Sequence, residues 1–189
     1  LPIKFEIIPT KTWGESLKLV RNNQVDVLSA VVDYANLQTE LDFTQAYLTS
    51  PIVVVMREKE AYVDTIEDIK HRRLAVIKDY GYTRKVTHKY KHIKFVESNT
   101  IPEGLTEVAT GKVDALICTL AQATYYISTL GINNVRIVGK TEFTANVGLG
   151  VRKELASLLP ILDRALNSIS EKYKKAISDR WGKERFVTR

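Results

Sequence analysis

The stretch Lys78-Asp79-Tyr80-Gly81-Tyr82-Thr83 joins an apolar run, Leu74 to Ile77, to a helical pattern, and its residue types suit the capture of an anionic group. Backbone N–H groups at the start of a helix have no acceptor within it and attract negative charge. Gly81 lets a ligand approach the main chain closely, while Tyr80 and Tyr82 offer apolar faces and hydroxyls. Lys78, Tyr80, Gly81, Tyr82 and Thr83 are therefore candidate ligand contacts, although a tight strand-to-helix turn needs similar residues. Asp33 and Tyr34 follow the run Val25 to Val32, and Thr119 follows Val113 to Cys118. Ligands of open α/β sheets sit beyond the carboxyl ends of the strands, so Ala30 to Asn36 and Thr119 to Gln122 are expected to line a cleft, with Asp33, Tyr34 and Thr119 as candidate contacts. Trp13 heads the helical repeat Trp13, Leu17, Val20, and its spacing fits the first member of a core stripe.

Other chemistries find less support. His88 and His92 have the i, i+4 spacing of a zinc pair, but no Glu or Cys beside them completes a site, and Lys89 and Lys91 repel a cation; no metal is expected. The single Cys118 excludes an internal disulfide and, in an apolar strand, reads as a buried inert thiol. No nucleophile motif is present, and Gly148-Leu149-Gly150 lacks the rest of a dinucleotide fingerprint, so neither catalysis nor a cofactor is expected. The net charge of +6 allows an anionic partner, yet Lys70-His71-Arg72-Arg73 and the segment from Arg84 to Lys94 read as solvated faces, with no nucleic-acid motif.

The elements that must position these residues alternate. Strands are predicted at Ile3 to Ile8, Val25 to Val32, Leu74 to Ile77, Ile93 to Val96, Val113 to Cys118 and Val135 to Val138. Helices fill the gaps, one marked by the Thr100…Glu103 capping box ahead of Leu105, Val108 and Ala109. The pattern from Ile3-Lys4-Phe5 to Val25-Asp26-Val27-Leu28 returns from Ile93-Lys94-Phe95 to Val113-Asp114-Ala115-Leu116, so one strand–helix–strand unit occurs twice. Two extended apolar segments, Pro51 to Met56 and Val147 to Val151, interrupt the alternation and are predicted to form a two-strand hinge. The division that follows is residues 1–55 with 145–189 as lobe one and 56–144 as lobe two; a single doubly wound sheet is the alternative. Two C-terminal helices, one striped from Leu155 to Ile169 with Pro160 in its first turn and one striped by Tyr173, Ala176, Ile177 and Trp181, are expected on lobe one. Gly182 is expected to stop the last helix, and Lys183 to Arg189 to leave the domain. The chain opens on what reads as a strand, without a signal peptide, and is expected to be a mature or excised piece.

In this order the motifs resemble the type II periplasmic solute-binding, or Venus-flytrap, family, in its polar amino-acid branch. Asp42-Phe43-Thr44-Gln45-Ala46-Tyr47 with Ser50-Pro51-Ile52 is similar to that family's approach to the hinge. Asp68-Ile69-Lys70 before Leu74 resembles its linker, Gly111-Lys112-Val113-Asp114-Ala115 its G-x-V-D-A turn, and Gly150-Val151-Arg152-Lys153 its returning strand. Ile177 to Gly182 resembles its terminal I-x-x-K-W-G, and Trp13, within Thr10 to Gly14, resembles the position where the family packs an aromatic ring against its ligand, which makes it a further candidate contact. The resemblance implies an α/β two-lobe fold with two hinge crossovers, starting at what corresponds to the family's second strand and so lacking the usual first strand and helix.

Two departures bear on the ligand. The family holds an amino acid with an Arg for the carboxylate and an acid for the ammonium, and these positions carry Leu37 and Thr119. Leucine cannot replace a bidentate guanidinium contact, which argues against an ordinary amino-acid carrier. Gly81-Tyr82 and Val151-Arg152-Lys153-Glu154 resemble the periplasmic sensor modules of bacterial sensor histidine kinases. The function this implies is an extracytoplasmic, inner-membrane-tethered sensor domain that binds a small molecule, a carboxylate-bearing one among the candidates. Membrane contact would come only through the parent chain, and a homodimer is an open arrangement. The alternatives are a free solute-binding component of an ABC uptake transporter and an enzyme such as a cyclohexadienyl dehydratase, for which Asp33, Asp79 and Glu142 are the available acids.

Overall fold

The computed structural model describes residues 3–32 and 36–181. Asp33, Tyr34, Gly182 and the tail 183–189 lie outside the described residues, as does the side chain of Trp181. In chain order the elements are α1 (Trp13–Arg21), β1 (Val27–Val31), β2 (Leu41–Phe43), β3 (Leu48–Arg57), β4 (Leu74–Ile77), α2 (Gly81–Lys89), β5 (Val96–Ser98), α3 (Ile101–Thr110), β6 (Ala115–Thr119), α4 (Leu120–Thr129), β7 (Val135–Arg152), α5 (Leu159–Ser168) and α6 (Glu171–Trp181).

The strands are hydrogen-bonded in the order β1-β7-β3-β6-β4-β5, with β2 also on β7. The path is not one uniform sheet, because β7 changes partners along its length. Val135 to Lys140 pair with β3, which also holds β6, whereas Gly148 to Arg152 pair with β1 and β2. Between these regions only the ladder of Leu48–Pro51 against Thr144–Val147 connects the two groups of strands. Proline has no N–H to donate. At Pro51 the register slips, so that Ile52 stands opposite the three residues between Lys140 and Thr144. The Thr141 hydroxyl donates to the Ile52 carbonyl at 2.9 Å, satisfying a group that the bulge would otherwise strand.

Beyond the bulge, alternate residues of β3, β4 and β6 point to opposite faces, as a pleated strand requires. Ile52, Val54, Met56, Val76 and Ile117 pack on one face under Tyr82 and Val86 of α2, with Ile66 and Ile69. Val53, Val55, Ile77, Leu116 and Cys118 pack on the other under Ile101, Leu105 and Val108 of α3 and Ala123 of α4. Burial on both faces explains why these strands read as unbroken apolar runs. A separate, smaller core gathers Leu17 and Val20 of α1, Leu28 and Val31 of β1, and Leu37 and Leu41.

The two copies of the repeated unit fold unequally. The second forms β5, α3 and β6, with β5 parallel to β4. The first forms α1 and β1, but the strand expected at Ile3 to Ile8 is absent. No described strand lies beside this segment to accept its hydrogen bonds, so its apolar residues stay in water, with Phe5 59% and Ile7 88% exposed. Val135 to Val138 and the returning hinge segment are one continuous strand. The Thr100 hydroxyl caps α3 by accepting from the Glu103 N–H, but the Glu103 carboxylate reaches back to the N–H of Asn99 rather than Thr100. Pro160 does sit in the first turn of α5.

The Gly111 to Asp114 turn holds α3, β6 and β4 in register. Gly111 takes φ +80, open mainly to glycine, and ends α3. The Asp114 carboxylate accepts from the backbone N–H (2.9 Å), Nε (3.1 Å) and Nη2 (2.9 Å) of Arg73 and from Nη2 of Arg57 (3.3 Å). Those bonds, Arg73 foremost, hold its pKa well below the ordinary carboxylate value. A depressed folded-state pKa contributes stability that is complete above the unfolded value of about 3.9 and is lost as pH falls below it. Asp114→Asn is expected to lower stability by about 2 kcal/mol near neutral pH, and the gap to wild type should be narrower at pH 3 without closing, because the folded-state value lies lower still, as read by urea unfolding at both pH values.

Candidate functional site

The loop after β4 is held by its own side chains. The Lys78 N–H continues the parallel ladder by donating to the Ser98 carbonyl at 2.9 Å. Asp79 takes φ +62, a left-handed conformation that non-glycine residues adopt infrequently, and it turns the chain toward α2. Tyr80 is the N-cap residue of α2, so by helix geometry the amides of Gly81 and Tyr82 have no acceptor inside the helix. The Thr83 amide is already taken by the Tyr80 carbonyl (3.1 Å), and the buried Thr83 hydroxyl donates to the Ile77 carbonyl at 2.7 Å. Thr83 thus closes the loop rather than facing out of it. The ring of Tyr82 is 2% exposed and belongs to the core.

Tyr80 is half-buried between the two main core clusters and meets the Tyr82 ring edge-on, with centroids 5.5 Å apart. Burial pushes its hydroxyl pKa above the usual value, with Tyr126 adding to the shift and a hydrogen bond to Gln122 opposing it. Gln122, in the first turn of α4, is the hub of this polar group. Its Oε1 accepts from the Thr119 hydroxyl (2.9 Å) and the Tyr82 hydroxyl (3.4 Å), while its N–H donates to Thr119 Oγ1 (3.2 Å). Thr119 is the N-cap residue of α4, and that role accounts for its type. The segment Thr119 to Gln122 is expected at the strand end from sequence, but nothing in its spacing marks Gln122 as the hub.

Across from this loop stands the start of α1. A Cβ placed on Gly14 would lie 3.6 Å from Asp79 Oδ2, so the carboxylate faces the first turn of α1, where the helix dipole favours negative charge. Trp13, beside Gly14, is half-buried and packs against the small core. Two distant parts of the chain thus meet at Gly14 and Asp79, with Trp13 and Tyr80 their neighbours along the chain. Leu37 is 6% exposed within the small core and supplies no charge to the gap.

The remaining candidates lie apart. Glu142 accepts from the Tyr90 hydroxyl (2.7 Å) and pairs with Lys89 (2.6 Å). Burial opposes its ionisation, but these partners leave its pKa lowered. Tyr90 caps the far end of α2, a helix of nine residues, roughly 13 Å long. Glu142 and Asp79 therefore do not converge on one substrate. His92 lies beyond α2 and bonds Glu67 at 2.8 Å, so it does not share a helical face with His88. Burial pushes the Cys118 thiol to about 12, which removes the reactive thiolate.

Two groups of strands joined by a two-strand ladder, with the start of α1 set against the turn after β4, define the two-lobe Venus-flytrap architecture. The crystal structure of the periplasmic VFT2 domain of Bordetella pertussis BvgS superposes with a TM-score of 0.84 at 26% identity, over 95% of this chain and 77% of that one. The chain belongs to the bacterial extracellular solute-binding proteins, family 3, whose family model matches residues 1–184. It is 26% identical over 181 residues to the virulence sensor protein BvgS of B. pertussis, covering 95% of this chain but 14% of that protein. It is 24% identical over 147 residues to the ABC transporter arginine-binding protein 1 of Escherichia coli, covering 75% of this chain and 59% of that protein. A histidine kinase sensor domain with similarity to periplasmic binding proteins shares the fold at a TM-score of 0.79 and 20% identity. These relatives are sensor and solute-binding proteins, and the chain is a binding module of that class rather than an enzyme.

The Thr83 hydroxyl is assigned to the loop, and this has a direct check. Thr83→Val should lower stability by about 1 kcal/mol in denaturant unfolding, because it removes the donor to a buried carbonyl; an unchanged midpoint would mean that the bond contributes nothing.

Proposed function

We propose that this chain is the extracytoplasmic ligand-binding sensor domain of a bacterial transmembrane signalling protein of the sensor histidine kinase type. The observation that carries this reading is the meeting of the α1 start with the Asp79–Tyr80 turn, opposite a bulged ladder, in a chain that matches the VFT2 domain of BvgS over nearly its whole length. On this reading residues 1–55 with 145–189 form lobe one, residues 56–144 form lobe two, and the ladder is the hinge. No described helix is long and apolar enough to cross a membrane, so tethering to the inner membrane and the kinase itself belong to a longer parent protein.

Trp13, Lys78, Tyr80 and Gly81, with Thr119 acting through Gln122, are the proposed ligand contacts. Asp33 and Tyr34 remain on the proposed list by their position after β1. Tyr82 and Thr83 support the loop from behind, through the core and the Ile77 carbonyl. A ligand can favour the closed arrangement only by its difference in affinity for the two states, and one that touches both α1 and the α2 loop has such a difference. With Leu37 in the small core, the ligand is held without the family's arginine, by the amides of Gly81 and Tyr82 and by aromatic and hydroxyl contacts. A free carrier of an uptake system is the second reading, favoured by the identity to the arginine-binding protein; a parent gene ending near residue 189 would support it.

A thermal-shift screen of small carboxylates, amines and aromatic acids tests the binding role. A binder is expected to raise the midpoint, and Tyr80→Phe and Gln122→Ala should weaken its Kd about tenfold, the size of one lost hydrogen bond of about 1.4 kcal/mol. Both variants should keep the unliganded midpoint within a few degrees. Binding untouched by either variant would place the ligand elsewhere, and no shift from any class would count against a ligand-driven sensor.

A further inference from the structure

Behind the ladder, on the side of the C-terminal helices, a cavity of about 610 Å³ opens between β3, α4 and α6. Leu48 and Pro51 of β3, Leu120 of α4, Leu166 and Ile169 at the end of α5, and Ile177 of α6 form its apolar wall. Leu48 is 41% and Ile177 40% exposed, so this wall is wetted hydrocarbon rather than core. The charged side chains lining it are Lys140 and Lys174, and among the described residues no carboxylate does so. Lys174 also contacts Glu171, but that carboxylate is 88% exposed and the pair is of the weak surface kind.

Apolar walls edged by two cations suit a ligand of the reverse construction, a hydrocarbon body ending in one anionic group. The volume falls in the ordinary range for small-molecule sites, about 300–1,000 Å³. Covering the exposed leucines and isoleucines drives association, and the lysines fix which end points outward. We propose that this cavity is a binding site for an amphipathic monocarboxylate, a medium-chain alkanoic or aryl-alkanoic acid, distinct from the gap between α1 and the α2 loop. It touches the ladder segment Leu48–Pro51, the helix that carries Gln122, and the last helix together, so an occupant would couple the hinge strand to α6.

Octanoate, kept below its micellar range, is the probe, and calorimetric titration of the whole chain is the readout. Saturable one-to-one binding is expected, at least tenfold weaker in Ile177→Glu and several-fold weaker in Lys174→Gln, and unchanged in Tyr80→Phe. Octylamine should bind at least tenfold more weakly than octanoate. Both α6 substitutions are at solvent-accessible positions, and circular dichroism should show the wild-type spectrum for each. Absence of saturable binding, equal affinity for octylamine, or loss in Tyr80→Phe with retention in Ile177→Glu would each overturn the site. The outcome is independent of whether the α1–α2 gap binds a ligand of its own.

Discussion

One antiparallel ladder, β3 against β7, is the constraint on which everything else depends. β7 is shared between strand groups that pack on different cores, and β3 follows it as far as Leu48. Hydrogen-bonded ladders resist stretching and shear but bend where pairing is interrupted. The interruption falls at Pro51 and Ile52, between the last residues paired inside the large sheet and the first outside it. A second slip occurs at Val138, where Gly139 is required because a Cβ there would clash with the Val63 carbonyl oxygen. Stiff packing on one side of these slips and a two-strand connection on the other make this the place about which the proposed lobe closure would bend.

That motion would open or close the gap at the turn after β4. The turn is built from commitments that fix its shape before any ligand arrives: a left-handed Asp79, a core Tyr82, a Thr83 hydroxyl tied to Ile77, and the Thr119–Gln122 pair behind Tyr80. What remains facing outward is narrow, namely two helix-start amides, one tyrosine edge and an aspartate aimed at α1. Preorganisation of this kind lowers the ordering cost of binding. The aspartate occupies the place where an anionic ligand would meet the start of α1, and the two would compete for the same dipole.

Much of this was legible in the residues. The apolar runs that form β4 and β6, the Thr100 cap of α3 and Pro160 in the first turn of α5 follow from local patterns whose physical causes are local, whereas only the second copy of the doubled unit forms both of its strands. The strand at Ile3 to Ile8 was misread because alternation specifies a face to bury but does not supply the neighbour that makes an extended segment a strand. At the candidate site, the strand-to-helix turn that carries Tyr80 and Gly81 was legible. The inward roles of Tyr82 and Thr83, and the hub at Gln122, depend on which way α2 and α4 roll against the sheet. That roll is set by the burial of Val86 and Ala123, which no spacing within the loop reports.

The central claim is that two bodies move about the ladder, and a distance across the gap tests it most directly. Spin labels at Lys18→Cys and Lys85→Cys, both exposed positions, can be read by pulsed dipolar spectroscopy because the native Cys118 is fully buried. The account predicts a broad distance distribution in the free chain that narrows and shifts to shorter values with a ligand of the α1–α2 gap. A single narrow distance, identical with and without that ligand, would contradict it.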